Sequence, residues 1–243
     1  KPKIISSAAV AGPKESAGRV GRYVDYALED DMFAETTFER AERKMLLYSI
    51  RRSLEKAELK GADVLISGDL LNQIISASFA ARETGIPYLG IYGACSTMSE
   101  GLLLASVLTD GGYAKNAVAA TGSHFSSAER QYRYPLELGC TRPPQSQWTV
   151  TGAGSCVVSR EGKGPSITCA TVGRVVDYGV SDVNNMGAAM APAACKVILA
   201  HLRDTGRKPG YYDLILTGDL GILGSRIVKD LLWEKGTDVF PNP

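Results

Sequence analysis

Histidine is scarce in this chain: His124 and His201 are the only two among 243 residues. The five cysteines (Cys95, Cys140, Cys156, Cys169 and Cys195) are scattered, odd in number and never spaced as CxxC. These shortages argue against a structural zinc site and fit a reducing compartment. Neither sign of charge dominates, with 27 Lys and Arg against 26 Asp and Glu for a net charge of +1. No cationic block stands out, so nucleic-acid binding has no electrostatic footprint. No apolar stretch reaches the length of a membrane span and no signal peptide opens the chain, so membrane association is expected only through a partner. An initiator Met is also missing. The chain begins at Lys1 and stops at Pro243, and we expect a processed or truncated chain.

What is present is the composition of an ordinary globular protein, 44% hydrophobic and 22% charged. Its length suits one large core or two fused lobes. The stretch from Gly85 to Met98 organises the rest. It predicts a short buried strand over Tyr88 to Tyr92, a Gly93-Ala94 turn, and a helix beginning at or just after Cys95. The helix is supported by the apolar run Leu102 to Leu108 and the breaker Asp110-Gly111-Gly112. A cysteine there meets unpaired backbone N–H groups and the positive end of the helix dipole, which both favour a thiolate. Such a unit presents either an activated nucleophile or an anion-binding floor; a small buried residue at a tight turn is the plainer alternative.

In chain order, Ile4 to Val10 reads as a strand ending at Gly12-Pro13, and 14–35 as a long loop. Thr36 with Glu39 forms a capping-box pattern before an amphipathic helix over 37–59. Asp63 to Ser67 is a buried strand, and Leu70 to Arg82 a helix closed at Gly85. Asn116 to Thr121 is the next buried strand. This alternation predicts a parallel sheet covered on both faces. Residues 123–147 break the rhythm and read as a long aromatic-rich loop. Trp148 to Arg160 and Pro165 to Val176 read as adjacent antiparallel strands joined at Glu161 to Gly164. A helix is expected from about Ala189, with Pro192 in its first turn and Cys195, Ile198 and Leu202 on one face. Tyr212 to Thr217 is a predicted strand and Ile222 to Trp233 the last helix.

Two segments repeat. Ala62 to Leu70 (ADVLISGDL) and Tyr212 to Leu220 (YDLILTGDL) align without a gap, and each lies between two predicted helices. At this separation the repeat is no solenoid period and points to two related α/β halves.

A duplicated α/β unit with a cysteine at a helix N-terminus resembles the thiolase superfamily of thiolases and ketoacyl synthases, and Thr151 to Ser155 (TGAGS) resembles its Gly-rich turn. Within that superfamily the chain is most similar to the stage V sporulation protein AD family of spore-forming Firmicutes. The carrying segments include Gly68 to Gln73 (GDLLNQ), Gly93 to Thr97 (GACST), Ala128 to Gln131 (AERQ), Arg133-Tyr134-Pro135, Asn185-Met186-Gly187 and Ala189 to Ala194 (AMAPAA). The resemblance implies an α/β fold of thiolase-like duplicated βαβαβαββ halves, the first over 1–164 and the beginning of a second over 165–243. It also implies a non-enzymatic protein without a cofactor of its own. Such proteins bind dipicolinic acid, alone or as its calcium chelate, within the SpoVA complex that moves it across the inner forespore membrane. The expected partners are therefore that ligand, other SpoVA membrane proteins and a second copy of the chain, with no nucleic acid. The expected location is the forespore or spore, peripheral to the inner membrane. The dimer seam is expected along the strand 116–121, whose Ala117, Ala119 and Ala120 permit close approach.

One departure from a working synthase stands out. Those enzymes place His or Asn beside the cysteine from loops of the second half. Here one such loop reads Gly218-Asp219-Leu220-Gly221-Ile222, without either residue, and the other would lie past residue 243. Cys95 keeps the family's nucleophile position, yet a thiolate without a base is a poor acyl acceptor. The expected role of Cys95 is a pocket floor beside helix N–H groups that receive a ligand carboxylate, with Ser96 and Thr97 adding hydroxyl donors. His124 is expected near the carboxyl edge of the sheet, as a ligand contact or as a hydrogen-bonded loop histidine. Asp219 is a candidate contact for ligand-borne calcium or a helix cap; Asp69 is expected to be only a cap, and His201 a solvent-side helix residue. Arg130, Arg133 and Arg142 could pair with a dicarboxylate or form a solvated basic loop. No metal ligand set and no catalytic residue is expected. The alternative reading is a thiolase or ketoacyl-synthase-like acyltransferase using Cys95.

Overall fold

The computed structural model describes residues 1–132 and 143–238. The chain divides into two compact units, Lys1–Leu136 with Thr149–Thr168, and Glu137–Trp148 with Cys169–Pro243.

The first unit is built on a six-stranded sheet. In chain order it contains β1 (Lys3–Ala11), the single turn α1 (Pro13–Ser16), β2 (Tyr26–Ala27), α2 (Phe38–Lys56), β3 (Val64–Gly68), α3 (Ile75–Thr84), β4 (Tyr88–Gly90), α4 (Thr97–Asp110), β5 (Asn116–Ser123), α5 (Phe125–Tyr132) and β6 (Gly152–Ser159). The strand order is β2-β1-β6-β5-β3-β4. β3 runs parallel to β4 and β5, whereas β6 is antiparallel to both of its neighbours, β1 and β5. The sheet is thus mixed, not parallel throughout as the alternation predicted.

Both faces are covered, and the strand period sorts the side chains between them. Leu65, Val118, Ala120 and Val157 face one side, where Met45, Leu46, Ile50 and Leu54 of α2 pack with Ala77, Ala80 and Ala81 of α3. Val64, Ile66, Ala117, Ala119 and Val158 face the other, against Ala105 and the half-buried Met98, Leu102 and Leu108 of α4. α2 begins one residue later than expected. Thr37, in extended conformation, accepts the Arg40 N–H on its Oγ1 at 3.3 Å and is the cap. Thr36 lies outside the helix, and Glu39 turns to an ion pair with Arg130 instead of closing a capping box.

Several sequence expectations are corrected. The long loop over 14–35 contains the edge strand β2, which hydrogen-bonds the end of β1. The helix expected over 70–82 begins only at Ile75, because Gln73 and Ile74 are left-handed (φ 59° and 46°). The strand at Tyr88 is not buried: it is three residues long, forms the sheet edge, and leaves Leu89 47% exposed. The expected loop after residue 123 holds the helix α5. β5 is not an edge but lies between β3 and β6 with Ala119 fully buried, so it cannot be the dimer seam. Pro165 to Val176 does not form a hairpin with β6; Pro165, Ser166 and Ile167 instead bond the start of β1 at Pro2, Lys3 and Ile4.

The second unit holds α6 (Met186–Thr205) and α7 (Gly221–Glu234). α6 starts earlier than predicted, capped by Asn185, whose side-chain oxygen accepts the Ala188 N–H at 3.2 Å. Pro192 therefore lies inside the helix rather than in its first turn. The helices pack through Ala191, Cys195, Leu220, Val228 and Leu232. Their crossing requires glycine: a Cβ on Gly187 would stand 2.2 Å from the Leu220 carbonyl. The predicted strand at Tyr212 to Thr217 is not formed, and Leu214 and Leu216 are 70% and 81% exposed. A strand is stabilised by hydrogen bonds to a neighbour, and among the described residues this segment has none. The second copy of the repeat thus keeps its flanking helices but not the conformation of the first.

Candidate functional site

The Cys95 turn is set by a close approach between strand ends. β3 and β4 run side by side, and the Ile91 N–H donates to the Ser67 carbonyl at 3.1 Å just beyond β4. Any Cβ on Gly68 would lie 2.2 Å from the Ile91 carbonyl oxygen, so only glycine lets the chain pass. Gly93 then leads into Ala94, whose φ of 46° is left-handed for a residue with a side chain. That conformation costs about 1–2 kcal/mol and aims the following residue sharply. Ala94–Ser96 make a 3-10 turn, and α4 starts at Thr97.

Cys95 is exposed at this turn. Ser96 donates both its N–H and its hydroxyl to the Gly93 carbonyl at 2.8 Å, which leaves that hydroxyl committed to the turn. Thr97 is buried to 1% exposure and its Oγ1 has no partner, as is also true of the Ser67 Oγ. Of the three residues, Cys95 and Ser96 are exposed and Thr97 is not. The first turn of α4 also carries Glu100, packed so close that a Cβ on Gly93 would meet its Oε2 at 2.3 Å. The helix end favours an anion, but Glu100 already lends that end a negative charge.

The remaining candidates are not part of this turn. His124 is fully buried. Its Nδ1 accepts the Ser126 N–H at 3.1 Å, which places the proton on Nε2, 2.9 Å from the Asp31 carbonyl that accepts it. Burial holds the imidazole below its usual pKa, and Phe38 and Phe125 pack on its ring. Both nitrogens are used in joining the 31–38 segment to α5. Asp69, as expected, is a cap: its carboxylate accepts the Leu71 N–H at 2.8 Å and the Ala77 N–H at 2.6 Å. Burial raises its pKa while those bonds oppose the rise. Arg130 pairs with Glu39; Arg133 and Arg142 lie outside the described residues.

In the second unit, Asp219 is exposed, and its Oδ1 accepts the Gly221 N–H at 3.0 Å at the head of α7. The Gln147 amide donates to its carbonyl. His201 is more than a solvent-side residue. It bonds Thr171 Oγ1 at 2.8 Å and the Tyr212 hydroxyl at 2.7 Å, tying two segments without regular structure to α6. Among the described residues, no group of three or more His, Cys, Asp or Glu side chains is arranged to hold a metal.

Sequence reasoning missed the buried carboxyls. Glu42 is fully buried in α2, where Ser127 Oγ donates to its Oε2 at 2.6 Å and its Oε1 has no partner among the described residues. Burial, reinforced by Asp69 and Glu39, pushes its pKa up to about 8 despite the Ser127 bond. Glu129, also fully buried, accepts the Thr149 N–H at 2.9 Å. A signal existed for Glu42, which occupies the inward helical stripe with Leu46, Ser49 and Ser53.

A family model described as Stage V sporulation protein AD (SpoVAD) matches residues 1–242. The chain is 46% identical over 238 residues to the Stage V sporulation protein AD of Bacillus subtilis (strain 168), covering 97% of this chain and 70% of that protein. Among solved structures, 3-oxoacyl-[acyl-carrier-protein] synthase III from Aquifex aeolicus VF5 aligns with a TM-score of 0.61 at 17% identity, covering 98% of this chain and 82% of that one. The corresponding Pseudomonas aeruginosa PAO1 synthase gives 0.60 at 12% identity, over 95% and 79% of the two chains. Xanthomonas campestris OleA H285N gives 0.61 at 14% identity, over 98% and 82%. At these identities the synthases share the thiolase-like fold and carry no statement about activity.

Proposed function

The chain belongs to the stage V sporulation protein AD family, and from that premise we propose that it is a binding subunit, not an acyltransferase. It takes dipicolinic acid, or the calcium chelate, within the SpoVA complex during sporulation, and it works peripheral to the inner forespore membrane. No described helix is long and apolar enough to cross a membrane.

The observation that carries this reading is an exposed thiol on a strained helix-initiating turn, in a chain whose two histidines have both ring nitrogens engaged in hydrogen bonds with other residues. Acyl transfer needs a base to activate the thiol and donors for the oxyanion. Anion binding draws on the α4 N-terminus and a small side chain that leaves room, against the opposing charge of Glu100 in the first turn. Cys95, beside the α4 N-terminus, is the contact residue for a ligand carboxylate, and Ser96 holds the turn that presents it. Thr97 supports them from below and His124 holds the fold. Asp219, in the second unit, is an exposed hard-oxygen carboxylate of the kind that suits calcium. A homodimer would form along β4, the edge with an unpaired side and an exposed Leu89.

One observation favours the second reading: the thiol is exposed at the same strand–turn–helix junction from which acyl transfer by a cysteine is performed. Calorimetric titration with dipicolinate, with and without calcium, tests the binding role. Incubation with labelled acyl-CoA tests the other. A thioester on Cys95 would overturn the binding-subunit reading.

A further inference from the structure

A concave surface lies on the first unit, lined by none of the residues of the Cys95 turn. It is a cleft of about 490 Å³ between the head of α2 and the outer face of α3. Glu35, Thr37, Glu39, Arg40 and Arg43 form one wall; Ile75, Ser76, Phe79 and Arg82 form the other. Its volume falls within the about 300–1,000 Å³ typical of ligand pockets. Ile75 and Phe79 are 45% and 43% exposed, one helical turn apart on the same face of α3.

The charges of the cleft do not cancel locally. Arg43 is held by Glu35 at 3.5 Å and by Glu83, and Glu39 is held by Arg130. Two guanidinium groups remain. Arg40 bonds only the Thr36 hydroxyl, at 3.3 Å, and Arg82 stacks over the Phe79 ring at 4.9 Å; among the described residues neither has a carboxylate partner. The cleft therefore offers an apolar strip on its α3 wall, with one unneutralised cation beside it on that wall and another on the α2 wall. The backbone entering it is strained as well, with the β-branched Ile74 in the left-handed region beside Gln73 and clamped there by Asp69. Strain of this kind persists where the surroundings over-determine it and clusters at binding sites.

We propose that this cleft docks an acidic peptide segment of a protein partner, one that carries carboxylates on both sides of an apolar side chain. The arginines pair with the carboxylates bidentately, and Ile75 and Phe79 bury the apolar side chain. An anionic bilayer fits less well, because Glu35 and Glu39 stand in the same wall and a flat negative surface would face them too. The docking site goes beyond the Cys95 reading and does not depend on it.

The test is a fluorescence-anisotropy titration with the labelled hexapeptide DELFED, its amide version NQLFQN and its polar version DESSED. Saturable binding of DELFED alone is expected, weakening as salt rises. The double change Arg40→Glu with Arg82→Glu should weaken it about tenfold or more, as should Phe79→Ser. Glutamate at position 40 suits the first turn of α2, so the melting temperature should hold; Arg40→Gln with Arg82→Gln is the milder variant and should weaken binding in the same direction. No saturable DELFED binding up to about 1 mM, equal binding of NQLFQN or DESSED, or indifference to the arginine changes would overturn the proposal. So would binding to phosphatidylglycerol vesicles that the arginine changes abolish while DELFED stays unbound.

Discussion

Glu42 offers the most quantitative test of the structure. Its carboxyl lies inside the α2–α5 contact, with one oxygen bonded by Ser127 and the other without a partner among the described residues. In the unfolded chain it should titrate near its ordinary value of 4.5; in the fold it is pushed up to about 8. Between those pH values the folded chain holds a proton that the unfolded chain has lost, so stability falls as pH rises. The contribution is fully present below about pH 4.5 and gone above about pH 8. At about 1.4 kcal/mol per pH unit the ceiling is ~5 kcal/mol. Some water entry and relaxation on ionisation reduces this to an expected ~2–3 kcal/mol. Glu42→Gln removes the titration while its amide oxygen can still accept from Ser127. At pH 5 the two proteins should agree within ~1 kcal/mol. At pH 8 the variant should be the more stable, melting about 4–12 °C higher for a unit of this size. Thermal melts by circular dichroism at pH 5, 6.5 and 8 decide it. Parallel pH profiles for the two proteins would refute the reasoning.

Further expectations concern the Cys95 turn and the sheet edge. Cys95→Ser should lower dipicolinate affinity only slightly, Cys95→Trp should abolish it with the fold intact, and bound dipicolinate should slow alkylation of Cys95 by iodoacetamide; unhindered alkylation at saturation would contradict the binding role. Ala94→Gly should raise stability by about 1 kcal/mol by relieving the left-handed backbone, and a loss on chemical denaturation would show that the turn is unstrained. Thr97→Val replaces a buried hydroxyl that has no partner, so urea titration should show no loss or a gain of up to about 1 kcal/mol. Leu89→Lys should yield monomer by light scattering if β4 is the dimer seam; a dimer that persists would move the seam elsewhere.

Local pattern was enough to read the long helices and the buried strands. Leu47, Ile50 and Leu54 recur at helical spacing in α2, and the runs at 63–67 and 116–121 became β3 and β5 because burial on both faces leaves a continuous apolar stretch. The turn before Cys95 and the helix behind it were legible for the same reason: glycine, small residues and an apolar run act within a few positions. The roles that depended on distant partners were not. Glu42 is desolvated only because α5 returns with Ser127 after 85 residues. β5 is central only because β6, antiparallel and far along the chain, enters between it and β1. His124 reads as a ligand contact until Asp31 and Ser126 take both its nitrogens. The two repeat segments differ most instructively. ADVLISGDL becomes a strand where β4 and β5 flank it, whereas YDLILTGDL, with no flanking strand among the described residues, forms none and leaves Leu214 and Leu216 exposed. A sequence determines the local conformations its residues favour, but the free energy of a strand lies in its neighbours, and those only the tertiary structure supplies.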